Sequence, residues 1–220
     1  DVVVCEVIPA DGYDDGDPVS AEITIDNTGP EVTSVTITPD TGITTSTTLV
    51  CEATATDADG ETPTLSYDWT SSSGAALGSG SEISLTPDTT APGETITCTA
   101  TATDSDSGAD SDSASVTIDN TDPTVDSVSV SPSSGVTTST ALTCSATASD
   151  DDGDSPTIAY AWTNATDSSS LGTGATLTLT TSTSSPGDSI TCRATATDSD
   201  SGTDSDSASV TIDNTDPTVD

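Results

Sequence analysis

The chain repeats its own sequence at an interval of about 93 residues. Two of the matched pairs are 93 residues apart and the third is 94 apart. These pairs are Cys51 with Cys144, Trp69 with Trp162, and Cys98 with Cys192. A unit of this length is too long for a solenoid repeat and suits a self-contained β-sandwich. The sequence therefore predicts complete domains at 29–122 and 123–216, the end of a preceding repeat at 1–28, and the start of another at 217–220.

Within each repeat, apolar residues alternate with Thr and Ser. Runs such as VTSVTIT, LVCEATAT and ASVTID show the period of two that is typical of half-buried strands. Hydrophobic residues make up only 30%, which together with high charge would otherwise favour disorder. The alternation predicts an all-β chain instead. In the first complete repeat the predicted strands are A at 32–38, B at 49–56, C at 65–70, E at 82–86, F at 95–103 and G at 114–119.

The cysteines and the tryptophan fall on one face of their strands. Cys51 lies on strand B, Trp69 on strand C and Cys98 on strand F. Cys, Trp and Cys in this order on B, C and F are typical of an immunoglobulin-like sandwich, in which the Trp packs on a disulfide between the sheets. The sequence thus predicts tandem immunoglobulin-like β-sandwich domains in a linear, rod-like array. The predicted core aromatic residues are Tyr67, Trp69, Tyr160 and Trp162.

The repeated phrase PGETITCTATATDSDSGADSDSASVTIDNTDP resembles the tandem Ig-like or PKD-like repeats of large bacterial cell-surface and secreted proteins. LSYDWT and IAYAWT resemble the Tyr-x-Trp strand of PKD domains. Two departures stand out: Ile96 and Ile190 replace the Tyr that antibody-type domains carry, and the FGDG of typical PKD domains is missing. The resemblance implies an extracellular location on a bacterial or archaeal cell. It also implies a structural role as a surface fibre, stalk or adhesin shaft.

The inward positions of strands B and F predict the disulfides Cys51–Cys98 and Cys144–Cys192, with free buried thiols as the alternative. Stable disulfides imply an oxidising, extracellular compartment. Cys5 corresponds to Cys98, so its expected partner lies on strand B of a preceding repeat, and an intermolecular bond is the alternative. We expect the natural polypeptide to extend upstream. A further possibility is a filament in which strands of another subunit complete 1–28.

The charge of the chain excludes several function classes. There are 38 acidic residues against the single basic residue Arg193, for a net charge of −37. Such a field repels nucleic acid and anionic membranes and attracts cations. The chain has no His, which argues against a zinc site and against a Ser or Thr nucleophile with a His base. Acids that recur in every repeat do not indicate a glycosidase centre. We therefore predict no enzyme activity, no nucleic-acid partner and no membrane insertion.

The acidic residues are concentrated in two loops and the joint between repeats. Strands B and F run in the same direction, so the B–C and F–G loops meet where strand A begins. In the second repeat these predicted loops are 149–156 and 198–206, and the joint DNTDP reaches the same end. Calcium takes six to eight oxygen ligands, which such loops supply. The arrangement resembles the interdomain calcium clamp of cadherins. The predicted ligands are Asp26, Asn27, Asp57, Asp59, Asp104, Asp106, Asp119, Asn120, Asp122, Asp150, Asp152, Asp198 and Asp200.

Two alternatives accompany this prediction. The acids also suit a solvated surface or a high-salt environment without any bound ion. The chain also fits a carbohydrate- or protein-binding accessory module of a secreted enzyme. An exposed aromatic strip would favour that second function, but aromatic residues make up only 2% of the chain.

Overall fold

The structure, a computed structural model, describes residues 1–216, and these contain strands and connecting segments without any helix. The predicted start of a repeat at 217–220 lies outside the described residues. Accordingly, no helix in the described part of the chain is long and apolar enough to span a membrane. The strands are β1 Val2–Val7, β2 Val19–Thr24, β3 Glu31–Thr38, β4 Thr48–Thr56, β5 Thr64–Ser71, β6 Ala76–Ser79, β7 Glu82–Ser84, β8 Thr95–Thr103, β9 Ala109–Thr117, β10 Thr124–Ser131, β11 Ala141–Ser149, β12 Thr157–Asn164, β13 Ser169–Thr173, β14 Thr176–Thr178, β15 Ser189–Thr197 and β16 Thr203–Thr211.

Two sandwiches of the same topology follow each other along the chain. In the first, sheet β3–β4–β7 faces sheet β6–β5–β8–β9, and in the second, sheet β10–β11–β14 faces sheet β13–β12–β15–β16. All neighbouring strands are antiparallel. The sheets correspond to strands A–B–E and C′–C–F–G of an immunoglobulin-like sandwich. The predicted all-β fold of tandem immunoglobulin-like sandwiches is therefore confirmed.

Each core forms around a tryptophan and a disulfide. Disulfides Cys51–Cys98 and Cys144–Cys192 join strands B and F, as the inward positions predicted. Trp69 and Trp162 are 0% exposed, while Tyr67 and Tyr160 are partly buried at the edge of each cluster. The indole N–H groups donate to the carbonyl oxygens of Gly80 and Gly174 at 2.8 and 2.9 Å. The buried polar end of each indole is thus satisfied.

Strand F shows how the alternation of the sequence becomes structure. In β8 the inward residues Ile96, Cys98, Ala100 and Ala102 are 0% exposed, and the intervening Thr residues are partly exposed. β8 pairs with β5 on one side and β9 on the other, so its backbone groups are bonded on both edges. Small inward side chains lie beside the disulfide. The predicted span 95–103 is the observed one.

Three details of the predicted strands are wrong. Strand G of the first repeat covers Ala109–Thr117 instead of 114–119. In the second repeat it begins at Thr203, so the F–G connection covers 198–202 instead of 198–206. Its alternating Asp and Ser residues still pair with strand F because G is an edge strand with mostly exposed side chains. The structure adds the C′ strands β6 and β13, which the sequence did not predict because their Gly-containing sequences are typical of turns. Strand E ends at Ser84, because Thr86 accepts the turn bond from the Thr89 amide.

Residues 1–28 form a separate β-hairpin. Strands β1 and β2 pair with each other, and the described chain adds no third strand to their sheet. Every residue of both strands is exposed. Within residues 1–216 no second layer covers this hairpin, and a lone two-stranded sheet is only marginally stable in water.

Candidate functional site

Carboxylate oxygens from two loops meet at the end of the first sandwich where strand A begins. β4 ends at Thr56 and β8 ends at Thr103, which brings the B–C and F–G connections to the same end. Asp57, Glu61 and Asp104 each place one oxygen so that the three atoms lie within 4.8 Å of one another. Since Ca–O distances are about 2.4 Å, two ligands of one ion are at most about 4.8 Å apart. The separation therefore suits one shared cation.

Two of these carboxylates are anchored by one oxygen and leave the other without a partner. Asp57 Oδ1 accepts a hydrogen bond from the Asp59 amide, and Glu61 Oε1 accepts one from Ser105 Oγ, both at 2.7 Å. The second oxygens, Asp57 Oδ2 and Glu61 Oε2, are buried and receive no donor from residues 1–216. Buried carboxylate oxygens are normally hydrogen-bonded, because losing water without replacement costs free energy. A cation bound by Asp57 Oδ2 and Glu61 Oε2 would compensate the lost hydration of both oxygens.

Asp104 is held in place by the linker and by its own turn. Asn27 Nδ2 donates to Asp104 Oδ2 at 2.9 Å, and the amides of Asp106 and Gly108 donate to Oδ1 at 2.9 and 2.7 Å. The pKa of Asp104 is lowered, mainly by the Asn27 donor, although partial burial acts against it. Asp104 is 9% exposed and ionised at neutral pH. It thus connects the linker to the acidic loops.

The remaining predicted ligands of this end surround the same group. Asp26, Asn27, Asp59 and Asp106 line one open pocket together with Glu61. Asp59 Oδ2 also accepts the amide of Thr28, the next linker residue, at 2.6 Å. The sequence prediction had omitted Glu61. Its signal was available, because an acid recurs 93 residues later as Asp154 in the equivalent loop.

The second sandwich repeats these contacts at the junction with the first. Asn120 Nδ2 donates to Asp198 Oδ2 at 3.0 Å, and the pKa of Asp198 is lowered chiefly by this bond. The Asp200 and Gly202 amides donate to Asp198 Oδ1 at 2.9 and 2.7 Å. Asn120 Oδ1 and Asp150 Oδ2 are again buried without a donor from the described residues. The arrangement is therefore a property of the repeat.

The two junctions differ in how closely the acids approach. Within residues 1–216, only the first junction brings three acidic oxygens within 4.8 Å of one another. In the second junction the equivalent acid, Asp154, is one methylene shorter than Glu61, although it accepts from Ser199 Oγ just as Glu61 accepts from Ser105 Oγ. Gly202 leaves room for the side chains of Asp198 and Asn120. A Cβ at this position would overlap Asp198 and lie 2.9 Å from Asn120 Nδ2. That Cβ would also meet Asp122 Oδ1 at 2.5 Å, so Asp122 belongs to this cluster.

Asp152 connects the two sandwiches directly. Its Oδ1 accepts Thr45 Oγ1 from the A–B loop of the first sandwich at 2.8 Å, and its Oδ2 accepts the linker amide of Thr121 at 2.6 Å. Thr45 is 1% exposed and Asp152 is 6% exposed. Both oxygens of this predicted ligand therefore accept protein donors. Asp119 lies apart: its amide donates to the Ile43 carbonyl, and it lines a pocket on the first sandwich.

Burial and neighbouring negative charges act together on Asp150. Its pKa is raised above 3.8, first by burial and then by the negative charges of Asp152, Asp198 and Asp154, against a lowering bond from the Asp152 amide. A raised folded-state pKa means that the folded state binds protons more tightly than the unfolded state. Stability contributed by this group is therefore present at low pH and is lost as pH rises through the folded pKa.

Replacing Asp150 with Asn is expected to have opposite effects with and without calcium. In EDTA at pH 7, Asp150→Asn removes a repelled charge and raises the melting temperature of the second sandwich by about 2 to 4 °C. Asp150 is one of the predicted calcium ligands, so we expect the calcium-induced rise in melting temperature to be smaller in the variant than in the wild type. Differential scanning calorimetry in both buffers measures the two shifts. Asp151→Asn, an exposed neighbour, is the control, and equal behaviour of both variants contradicts the expectation.

Comparison with known proteins adds a general likeness to tandem β-sandwiches. No family model and no curated protein matches the chain. A two-domain fibronectin type III segment of chicken tenascin is similar at a TM-score of 0.43 and 12% identity, covering 85% of this chain and 100% of that one.

A tetra-tandem repeat from the extending region of a large adhesion protein has a TM-score of 0.39 and 20% identity, covering 96% of this chain and 56% of that one. Domains EC1-3 of mouse protocadherin-24 have a TM-score of 0.34 and 14% identity, covering 97% and 80%. The fold assignment made above rests on sheet order and core, and these values add nothing to the assignment of function.

Proposed function

We propose that this chain is a structural repeat segment of an extracellular fibre, stalk or adhesin shaft, and that calcium bound at its junctions stiffens it. The observation that carries the proposal is the recurrence of buried oxygens without donors from residues 1–216 at both junctions. They are Asp57 Oδ2 and Glu61 Oε2 at the first, and Asn120 Oδ1 and Asp150 Oδ2 at the second. The role is non-enzymatic.

The chemistry of the acidic groups favours calcium over other metals. Every side-chain atom proposed as a metal ligand here is a carboxylate or amide oxygen, which suits a hard cation. Asp57, Glu61 and Asp104 would hold the ion at the first junction, with Asn27 orienting Asp104. At a net charge of −37, cations also relieve the repulsion between acids.

A bound ion would restrict bending because its ligands belong to the loops that the linker contacts. Asn120 already bonds Asp198 across this joint, and Asp152 bonds both Thr45 and Thr121. An ion shared by the acids of these loops would add contacts that break when one sandwich tilts. The two disulfides support an oxidising, extracellular setting. Neighbouring repeats of the same protein are the proposed partners.

Small-angle X-ray scattering tests the stiffening. Adding about 5 mM calcium, which exceeds the usual dissociation constants of extracellular calcium modules, to the EDTA-treated protein is expected to narrow the distribution of interatomic distances and extend its long limit. The physical reason is that fewer bent arrangements of the two sandwiches remain populated.

Both ions are added in a buffer of high sodium chloride concentration, which screens the charges of the chain. Magnesium at the same concentration is the control: it carries the same charge as calcium but requires a stricter octahedral geometry. Identical scattering in EDTA and in calcium contradicts the proposal. An equal response to magnesium shows charge screening instead of a calcium site.

The alternative function, a carbohydrate- or protein-binding accessory module of a secreted enzyme, would be favoured by a strip of aromatic rings at the surface. The two tryptophans are fully buried, and the half-buried Tyr160 accepts the Ala146 amide at its hydroxyl. These rings stabilise the cores, and Tyr13 is the one strongly exposed aromatic side chain of residues 1–216, at 95%. A single exposed ring does not form an aromatic strip, so this alternative is not favoured.

A further inference from the structure

We propose that the hairpin β1–β2 is the F–G half of a sandwich, and that its apolar face binds strands A to E of a further repeat of the same kind. In this pairing Cys5 forms a disulfide with a cysteine on strand B of that repeat. The proposal concerns a face of the hairpin that holds none of the proposed calcium ligands, although Ile25 of that face also lines the acidic pocket of the first junction. It is carried by strand register, by exposure and by the contacts of the two complete sandwiches.

The register of the hairpin is that of strands F and G. Across each pair of strands the cysteine faces an alanine, and the residue two positions before the cysteine faces a branched apolar residue. The cysteine pairs are Cys5 with Ala21, Cys98 with Ala114, and Cys192 with Ala208. The preceding pairs are Val3 with Ile23, Ile96 with Val116, and Ile190 with Val210. A one-residue slip would reverse the faces, so this agreement identifies the inward face of the hairpin.

That inward face is exposed here and buried in the complete sandwiches. Val3 is 50% exposed and Ile23 is 66% exposed, whereas their equivalents Ile96 and Val116 are 0% and 8% exposed. Ile25 is 53% exposed, and its equivalent Ile118 is 1% exposed. A contiguous apolar face of this kind marks an interaction surface. In the other two units the A–B–E sheet covers the equivalent face, so the proposed covering layer is a sheet of that kind.

The complete sandwiches show which strands cover such a face. Strand C pairs with strand F along β5 and β8, and the A–B–E sheet packs across with Cys51 of strand B bonded to Cys98 of strand F. Residues 1–216 of a second copy of this chain offer no uncovered A–B–E sheet, because both of its A–B–E sheets already pack against their own F and G strands. The occupant is therefore an additional A-to-E segment.

The free thiol supplies the chemical signature of this pairing. Cys5 is an exposed free cysteine at the position that is disulfide-bonded in each complete sandwich. Oxidised glutathione is the proposed oxidant. The two protein thiols lose two protons and two electrons as their S–S bond forms, and the S–S bond of glutathione breaks to give two glutathione thiols.

A fusion protein tests the proposal. A copy of residues 29–93, which carries strands A to E of the first repeat, is placed directly before Asp1 of the full chain. After folding with reduced and oxidised glutathione in EDTA, peptide mapping is expected to show a disulfide between Cys5 and the copied Cys51. Amide exchange at Val2–Val7 is expected to slow by about 100-fold or more, because release then requires opening of a packed sheet.

Two fusion variants separate sheet packing from cross-linking. With the copied Cys51 changed to Ser, the hairpin amides stay protected and the Cys5 thiol is buried from a chromogenic thiol reagent. With Val3→Asp in the fusion, the protection is lost while Cys51–Cys98 still forms, which shows that the rest of the chain folded. Because EDTA is present throughout, the result does not depend on the calcium proposal.

Two outcomes overturn the proposal. One is a fusion in which the Cys5 thiol reacts, and the hairpin amides exchange, as fast as in the unfused chain. Both original disulfides must have formed in that fusion. The other is a dimer of the unfused chain in sedimentation experiments, with Cys5 protected, which would make a second copy the occupant.

Discussion

Replacing Cys51 and Cys98 together with alanine is expected to lower the free energy of unfolding of the first sandwich by about 4 kcal/mol. The disulfide closes a loop with a sequence separation of 47 residues, and its loss returns that chain entropy to the unfolded state. Domains of this size are stable by only about 5 to 15 kcal/mol, so this loss is large. The inward residues beside it on strand F are Ala100 and Ala102, which bury little apolar area in compensation. Differential scanning calorimetry should show one of the two unfolding transitions moving to much lower temperature.

The second sandwich provides the matched control for this experiment. Changing Cys144 and Cys192 to alanine removes a disulfide with a sequence separation of 48, so the same loss should appear in the other transition. Amide exchange identifies which sandwich each transition reports. A shift of both transitions by either double substitution would show that the sandwiches unfold as one unit and would contradict the expectation.

Calcium is expected to produce the second large effect, a rise of about 10 °C in the melting temperature over the EDTA-treated protein. An ion present at about 100 times its dissociation constant stabilises the folded state by about 2.7 kcal/mol, if the unfolded chain does not bind it. The physical source is the neutralisation of Asp57 and Glu61, each of which has one buried oxygen that receives no donor from residues 1–216. Calorimetry over a calcium titration measures the shift and its concentration dependence.

A charge-matched pair of variants assigns this shift to the site. Asp57→Asn combined with Glu61→Gln should abolish the calcium-induced rise in the first sandwich, because it removes two of the three clustered carboxylates. Asp68→Asn combined with Glu52→Gln removes the same charge from exposed strand positions. The control should keep the full rise. Equal losses in both pairs would show that calcium acts only through the general field of the acids.

Much of the fold could be predicted because its signals are local. The alternation in 95–103 is enough to place strand F, since a period of two allows one apolar face only. The 93-residue interval relates the second sandwich to the first, and Cys positions on the inward faces predict both disulfides. The acidic half of strand G was missed because Asp and Ser are typical of loops. Its pairing with strand F, as between Thr101 and Ser111, is a tertiary contact that no local pattern reports.

The sequence by itself thus determined the repeat, the order of strands A, B, C, E, F and G, and the end of each sandwich where acidic loops meet the linker. It did so because strand direction follows from strand order. Only the tertiary structure decided which acids lie together. Glu61 joins the cluster, Asp119 lies apart, and Asp152 bonds Thr45 of the neighbouring sandwich, because loop conformation sets side-chain distances. Ligand geometry depends on ångström-scale placement of these side chains, and a sequence interval of 93 residues carries no such distance.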